Sequence, residues 1–275
     1  MSDKNRWRDS RAALLAYVVI AGFGLLPRSA AAVKVTSFAA TLHGFPALRD
    51  GSGKKLADGD FAQWLERERL HVKLTYRFSN KHQIEEKAQF RQRPELIQEN
   101  WSWREVKDGK LFRNFAVDFS SGQATAEKQE NHDLKRWSEK LKLESGRTFA
   151  GIGFVLAVSN LRERLIAGER IELKAVAFTP NPRVVSVEIS HAGVDQMRMA
   201  DRQLKGDHCV MHPKIPRIAQ LFVTAPDTHL WLTNPVPAGF LRMEGPLVEP
   251  GDPIIRIDLL PGGESEPAKP LAEKG

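Results

Sequence analysis

The sequence predicts a mainly β protein: a curved antiparallel sheet, of half-barrel or open-barrel meander type, with one covering helix. Two observations carry this. Apolar and polar residues alternate with period two from Leu70 to Phe119, turn signals closing each run. Only one stretch, Phe154 to Ile166, repeats its apolar residues at helical spacing.

The chain opens with a basic leader (Lys4, Arg6, Arg8, Arg11), a continuous apolar stretch from Ala12 to Leu26, and small residues Ser29-Ala30-Ala31-Ala32. This is the pattern of a secretory signal peptide spanning residues 1–32, cleaved near Ala32. The apolar stretch is shorter than the roughly 20 residues of a membrane-spanning helix, and Pro27 and Arg28 follow it directly. Residues 33–260 are read as a single β-rich domain, and 261–275, rich in Gly, Pro, Glu and Lys, as a disordered tail.

The first predicted strand covers 70–78, with Leu70, Val72, Leu74, Tyr76 and Phe78 on one face. A three-residue loop, Ser79-Asn80-Lys81, sets Phe78 opposite His82, Tyr76 opposite Ile84, Val72 opposite Ala88 and Leu70 opposite Phe90, with Thr75 and Glu85 outside. The apolar sets match, and a slip of one residue would exchange the faces. The second strand, 82–91, turns at Gln92-Arg93-Pro94-Glu95 into a third, 96–106. That turn places Phe90 against Ile97, Ala88 against Glu99, Glu86 against Trp101 and Ile84 against Trp103. A fourth strand, 111–119, follows Lys107-Asp108-Gly109. A three-residue loop there pairs Trp103 with Arg113 and Trp101 with Phe115, which keeps the aromatic face together, whereas a two-residue Asp-Gly turn would not.

Residues 123–144 are highly charged and fit strand or helix equally. The helix 154–166 ends before Gly168, a helix stop. Strands resume at 171–175 and 185–189 around Pro180-Asn181-Pro182, followed by short candidates at 196–200, 208–212, 229–233, 240–244 and 254–259. Eight prolines between 213 and 253 punctuate these pieces, which suits edge strands and loops.

This register turns Glu86 and Glu99 inward, diagonal to one another, beside Trp101 and Trp103, with His82 opposite Glu105. A carboxylate on a buried face is costly unless paired, and two close ones raise each other's pKa, the way general acids are made. One reading is a ligand cavity with an acidic patch floored by tryptophan. The other is structural, with Arg113, Arg162 or Arg164 neutralising the carboxylates, or with that face wet. The candidate ligand-contacting residues are Glu86, Glu99, Trp101, Trp103, Tyr76 and Arg113.

The spacing argues against other chemistry. His208 and His212 fall on one face of an extended strand but about 13 Å apart, with Cys209 on the other face, so one ion could not take all three. Asp227 and His229 lack a nucleophile elbow, and Gly151-x-Gly153 lacks the third glycine of a nucleotide loop, so these glycines read as allowing close helix packing. No cofactor or metal is expected, and no catalysis.

Cys209 is the only cysteine, which excludes an intramolecular disulfide, and no cysteine beside the cleavage point offers an acyl anchor. Five cationic and two acidic residues leave with the leader, so the net charge of +7 falls to about +4, too little to suggest nucleic acid.

The leader, the strand-rich body, the Phe149 to Leu161 block, Leu230-Trp231-Leu232-Thr233 and Phe240-Leu241-Arg242-Met243-Glu244-Gly245 resemble an uncharacterised family of exported bacterial proteins. Relatives of such proteins are similar to lipoprotein-carrier half-barrels, in which a curved sheet wraps an apolar cavity covered by helices. The resemblance implies a periplasmic or extracellular location and a lipid or other hydrophobic ligand, and transfers no catalytic residue. Inward carboxylates at Glu86 and Glu99 depart from the carrier pattern. Two functions stand on this footing: a carrier that uses the concave face with the helix as lid, and a structural or protein-interaction module of the cell envelope.

Overall fold

The computed structural model describes residues 31–131, 133–199, 202–214, 225–234 and 239–259. The predicted leader, apart from Ala31 and Ala32, and the predicted tail lie outside the described residues.

The first half of the chain lays down β1 (Leu42–Gly44), β2 (Ala47–Asp50), β3 (Lys55–Glu66), β4 (Arg69–Phe78), β5 (Gln83–Gln92), β6 (Leu96–Lys107), β7 (Lys110–Asp118), β8 (Gln123–Glu130) and β9 (Asp133–Lys140). After β10 (Thr148–Phe149) comes the helix α1 (Gly153–Ile166), and then β11 (Ile171–Thr179), β12 (Asn181–Met199) and β13 (Arg202–Lys214). β14 (Thr228–Asn234), β15 (Phe240–Pro246) and β16 (Ile254–Asp258) complete the described elements.

All sixteen strands join one sheet. It runs from β10 through β16, continues into β2 and then from β3 to β9, with β1 paired to β3 beside this path. Every pairing is antiparallel except β10 with β11. The sheet curls until β8 and β9 pack against β12, and α1 packs on β12 as well. This is the curved open barrel with one helix that the alternation predicts.

The predicted β4–β5 hairpin is observed: Leu70 faces Phe90, Val72 faces Ala88, Thr75 faces Glu85 and Tyr76 faces Ile84. The Phe78 amide donates to the His82 carbonyl at 3.0 Å.

The β5–β6 register differs from the expectation. Ala88 pairs with Trp101, Glu86 with Trp103 and Ile84 with Glu105, whereas nearer the turn Phe90 pairs with Gln98. Between Asn100 and Gln98 the extra residue is Glu99, a β-bulge. The bulge changes which parity faces inward: Leu96 and Gln98 are buried before it, and Trp101, Trp103 and Glu105 after it. Glu99 is therefore on the outer face, and its predicted inward position is corrected.

At the β6–β7 turn Lys107 pairs with Lys110 across a two-residue Asp108-Gly109 turn, both residues at positive φ (50° and 75°). The three-residue loop is thus corrected as well. Phe112 is the extra residue of a bulge that follows, and it restores the aromatic face by pairing Trp103 with Phe115, Trp101 with Val117 and Glu105 with Arg113.

The ambiguous stretch forms the β8–β9 hairpin at one end of the sheet. The expected short strand at 196–200 is, up to Met199, the end of one long strand, β12, bulged between His191 and Gly193. The strands β1 to β3 lie ahead of Leu70, outside the stretch in which the sequence alternates.

One contiguous core fills the interior. The Phe178 ring on β11 stacks on Phe115 at 4.6 Å and on Trp101 at 5.6 Å, bridging opposite walls. Ala157, Val158, Leu161 and Leu165 of α1 are buried in the same cluster. After α1, Gly168 (φ 89°) takes the left-handed position, its amide donating to the Leu165 carbonyl at 2.9 Å. A segment at 33–39 straps the helix to the sheet: the Thr36 and Ser37 amides donate to Asn160 Oδ1 at 2.7 and 2.8 Å, and Ala39 exchanges two hydrogen bonds with the Gln92 side chain.

Candidate functional site

Glu86 is held at the start of α1. Its Oε1 accepts from the Trp101 indole Nε1–H and from the Ile152 amide, both at 2.7 Å. Ile152 is the residue before the helix, which has no acidic residue in its first turn, so Glu86 supplies from the sheet the negative charge that a helix N-terminus favours. Burial raises the Glu86 carboxyl above its ordinary range, and the two hydrogen bonds pull against that rise.

The approach is possible because residue 151 is glycine. A Cβ there would lie 2.0 Å from Glu86 Oε1 and 2.3 Å from Trp101 Nε1, and its φ is 49°. At Gly153 a Cβ would lie 2.5 Å from Gln98 Oε1. Gln98, buried, donates to the Ala150 carbonyl at 3.1 Å and accepts from the Ala150 amide at 2.8 Å. The glycine pair is the packing device that its sequence suggests. Glu86 and Gln98 hold the helix entry between them, a role without a sequence signature.

The remaining candidates separate. Tyr76 is buried near Glu86, its hydroxyl without a hydrogen-bond partner, and burial together with that carboxylate raises its pKa well above the ordinary value. Trp103 stacks on Phe115 at 5.9 Å. Glu99 points away from them all and pairs outside with Arg69 at 2.6 Å and Arg91 at 3.7 Å. The structure therefore joins Glu86, Trp101 and Tyr76, and it breaks the diagonal pair of carboxylates.

Nor do the expected arginines neutralise Glu86. Arg113, buried on β7, binds Glu105 at 2.7 Å, Glu249 at 2.7 Å and Asp252 at 2.8 Å. Lys128 reaches Glu249 at 2.9 Å, and His82 Nε2 lies 2.8 Å from Glu105. This ionic knot ties the loop between β15 and β16 to the β6–β8 wall. Burial lowers the His82 pKa, with Glu105 opposing. Arg162 is hydrogen-bonded to Asp207 at 2.5 Å, and Arg164 to Glu169 at 2.6 Å.

No family model and no curated protein matches the chain. A solved β-barrel-like protein of the domain of unknown function DUF1849, from Brucella abortus, is similar over 81% of this chain and 98% of that one, at 8% identity and a TM-score of 0.45.

A groove of about 760 Å³ opens beside the Glu99 bulge. Arg69, Gln89, Arg91 and Asn100 line it from the sheet, and Phe119 and Leu143 add apolar surface from the neighbouring loops. A second groove of about 380 Å³ lies along Val35, Phe38 and Pro94. Cys209 faces the core, and burial pushes its thiol up to about 12, leaving it protonated and inert at neutral pH. Among the described residues no group of three His, Cys, Asp or Glu side chains is placed to hold a metal ion. Likewise, no helix among them is long and apolar enough to cross a membrane.

Proposed function

We propose that this chain is an exported, non-catalytic interaction module of the cell envelope, and that it engages its partner on the outer face of the sheet. The observation that carries the reading is the filled interior. Where a carrier keeps room for an acyl chain, α1 and the Trp101–Phe178–Phe115 stack occupy the space, and Glu86 closes the helix entry. The leader supports the address. The groove beside the Glu99 bulge supplies the recognition surface: two guanidinium groups share one carboxylate there, leaving donors for acidic or amide groups of a partner.

Native mass spectrometry of the chain gently extracted from its host tests this. A retained protein partner, lost on Arg91→Glu, is expected. Co-purifying lipid bound to the wild type and unaffected by that substitution would overturn it in favour of the carrier.

A further inference from the structure

Across four neighbouring strands the outer face carries Asp195 (β12), His208 (β13), His229 (β14) and, opposite His229, Glu244 (β15). The His208 ring stacks on Trp231 at 4.4 Å and 14°, and its Nδ1 lies 3.3 Å from Asp195 Oδ2. The same carboxylate oxygen accepts from the Trp231 indole Nε1–H at 2.8 Å. These contacts fix the imidazole plane and aim its Nε2 head-on at His229 Nδ1, 2.9 Å away.

At that distance there is room for one proton between the two nitrogens, not for two. With no charge on the pair, His208 keeps its Nδ1 proton toward Asp195 and its Nε2 accepts from His229 Nδ1–H. With one positive charge the bond survives, because the neutral ring accepts from the charged one. With two, both nitrogens carry hydrogen and point at one another, so the rings must part.

We propose that the His208–His229 bond is a pH-sensitive catch between β13 and β14, closed at neutral pH and opened by the second proton as pH falls toward about 5. The surroundings admit the first charge and resist the second. Asp195 and Glu244 face the pair from β12 and β15, while Arg242 on β15 and Arg256 on β16 are both held by Asp258, at 2.7 and 3.0 Å. His191, beside Asp207 at 3.6 Å, opposes added charge from β12. Burial lowers the His208 pKa, Asp195 opposes that fall, and the His229 ring lowers it further. Two separated imidazoles take up both protons near the ordinary value of about 6.5, whereas the closed pair takes one. The closed form is therefore fully favoured above that value, and below it loses about tenfold in its equilibrium with the open form per pH unit. His212, with Nδ1 on Asp227 at 2.7 Å, is a contact that protonation strengthens rather than breaks.

Hydrogen exchange of the purified full chain at pH 7 and pH 5, corrected for the intrinsic rate, tests this. Amides of Lys205–Met211 and Thr228–Asn234 should lose protection at least tenfold relative to the β4–β5 hairpin. His229→Gln, whose amide oxygen accepts from a charged His208 at any pH, should keep its protection at pH 5, and His212→Gln should respond like the wild type. In the wild type, nuclear magnetic resonance of the histidine ring nitrogens should show the pair taking up one proton, not two, before protection falls. That measurement decides the matter if His229→Gln does not fold. Equal losses in both hairpins, a selective loss that persists in His229→Gln, or two protons taken up with protection intact would overturn the proposal.

Discussion

Glu86 on β5 and Trp101 on β6 hold the same point of the fold: the indole Nε1–H and the Ile152 amide donate to one carboxylate oxygen, both at 2.7 Å. A group that looks in sequence like an active-site acid is, in place, the cap of the helix that fills the barrel.

Glu86→Gln retains an oxygen that accepts both bonds and removes the charge. Because burial raises the folded-state pKa, the native protein binds the proton more tightly than the unfolded chain, whose value is near 4.5. This group's stabilisation is therefore full below that value and is lost as pH rises through the folded-state pKa. Urea unfolding should find the variant equal to wild type near pH 4 and more stable at pH 7. Glu86→Ala, which strands two buried donors, should cost about 3 kcal/mol.

Gly151→Ala should be among the most damaging single changes, above about 3 kcal/mol, since the new Cβ would drive Glu86 and Trp101 off the hydrogen bond they share, at a residue whose φ is 49°. Gly168→Ala is the control. Its φ of 89° costs about 1 kcal/mol, but nothing lies within 4 Å of the new Cβ. Similar melting temperatures for the two variants would contradict the cap geometry.

Arg113→Met should lose about 3 kcal/mol by removing the cation that joins the buried Glu105 and Glu249 with Asp252, leaving Glu105 to His82 and Lys107 and Glu249 to Lys128. Glu99→Ala, which removes ion pairs between half-exposed arginines and a bulge residue, should lose less than about 1 kcal/mol, and less again in high salt. Chemical denaturation of both variants compares the two.

Cys209 should resist alkylation at neutral pH in the native protein and react fully in denaturant, because its thiol is buried and pushed up to about 12. Labelling rates against urea then report global unfolding.

What the sequence discloses here follows the range of the interactions. The β4–β5 pairing was legible because a short loop and two matching apolar sets allow one register. The helix and the buried side of Trp101 and Trp103 were legible for the same local reason. The bulges at Glu99 and Phe112 were not: each inserts a residue without a composition signal, and the first exchanges the faces of Leu96 to Gln98 at the start of β6. β3 was hidden by Gly59 and by polar residues along its length. Both Arg113's partners Glu249 and Asp252 and the His208–His229 contact depend on strands far apart in sequence, which periodicity cannot detect.

The position of β16 has a consequence for how the molecule is made. It is inserted between β15 and β2, pairing Ile255 with Asp50 and Asp258 with Ala47, so an early strand and the final described strand meet in the middle of the sheet. A chain emerging N-terminus first leaves the edge of β2 open until roughly 200 residues later, when the last strand arrives to cover it. Closure over such a span is slow. During that interval the unpaired edge can recruit a neighbouring molecule, so yield in the cell should depend on holdase capacity more than on the stability of the finished protein.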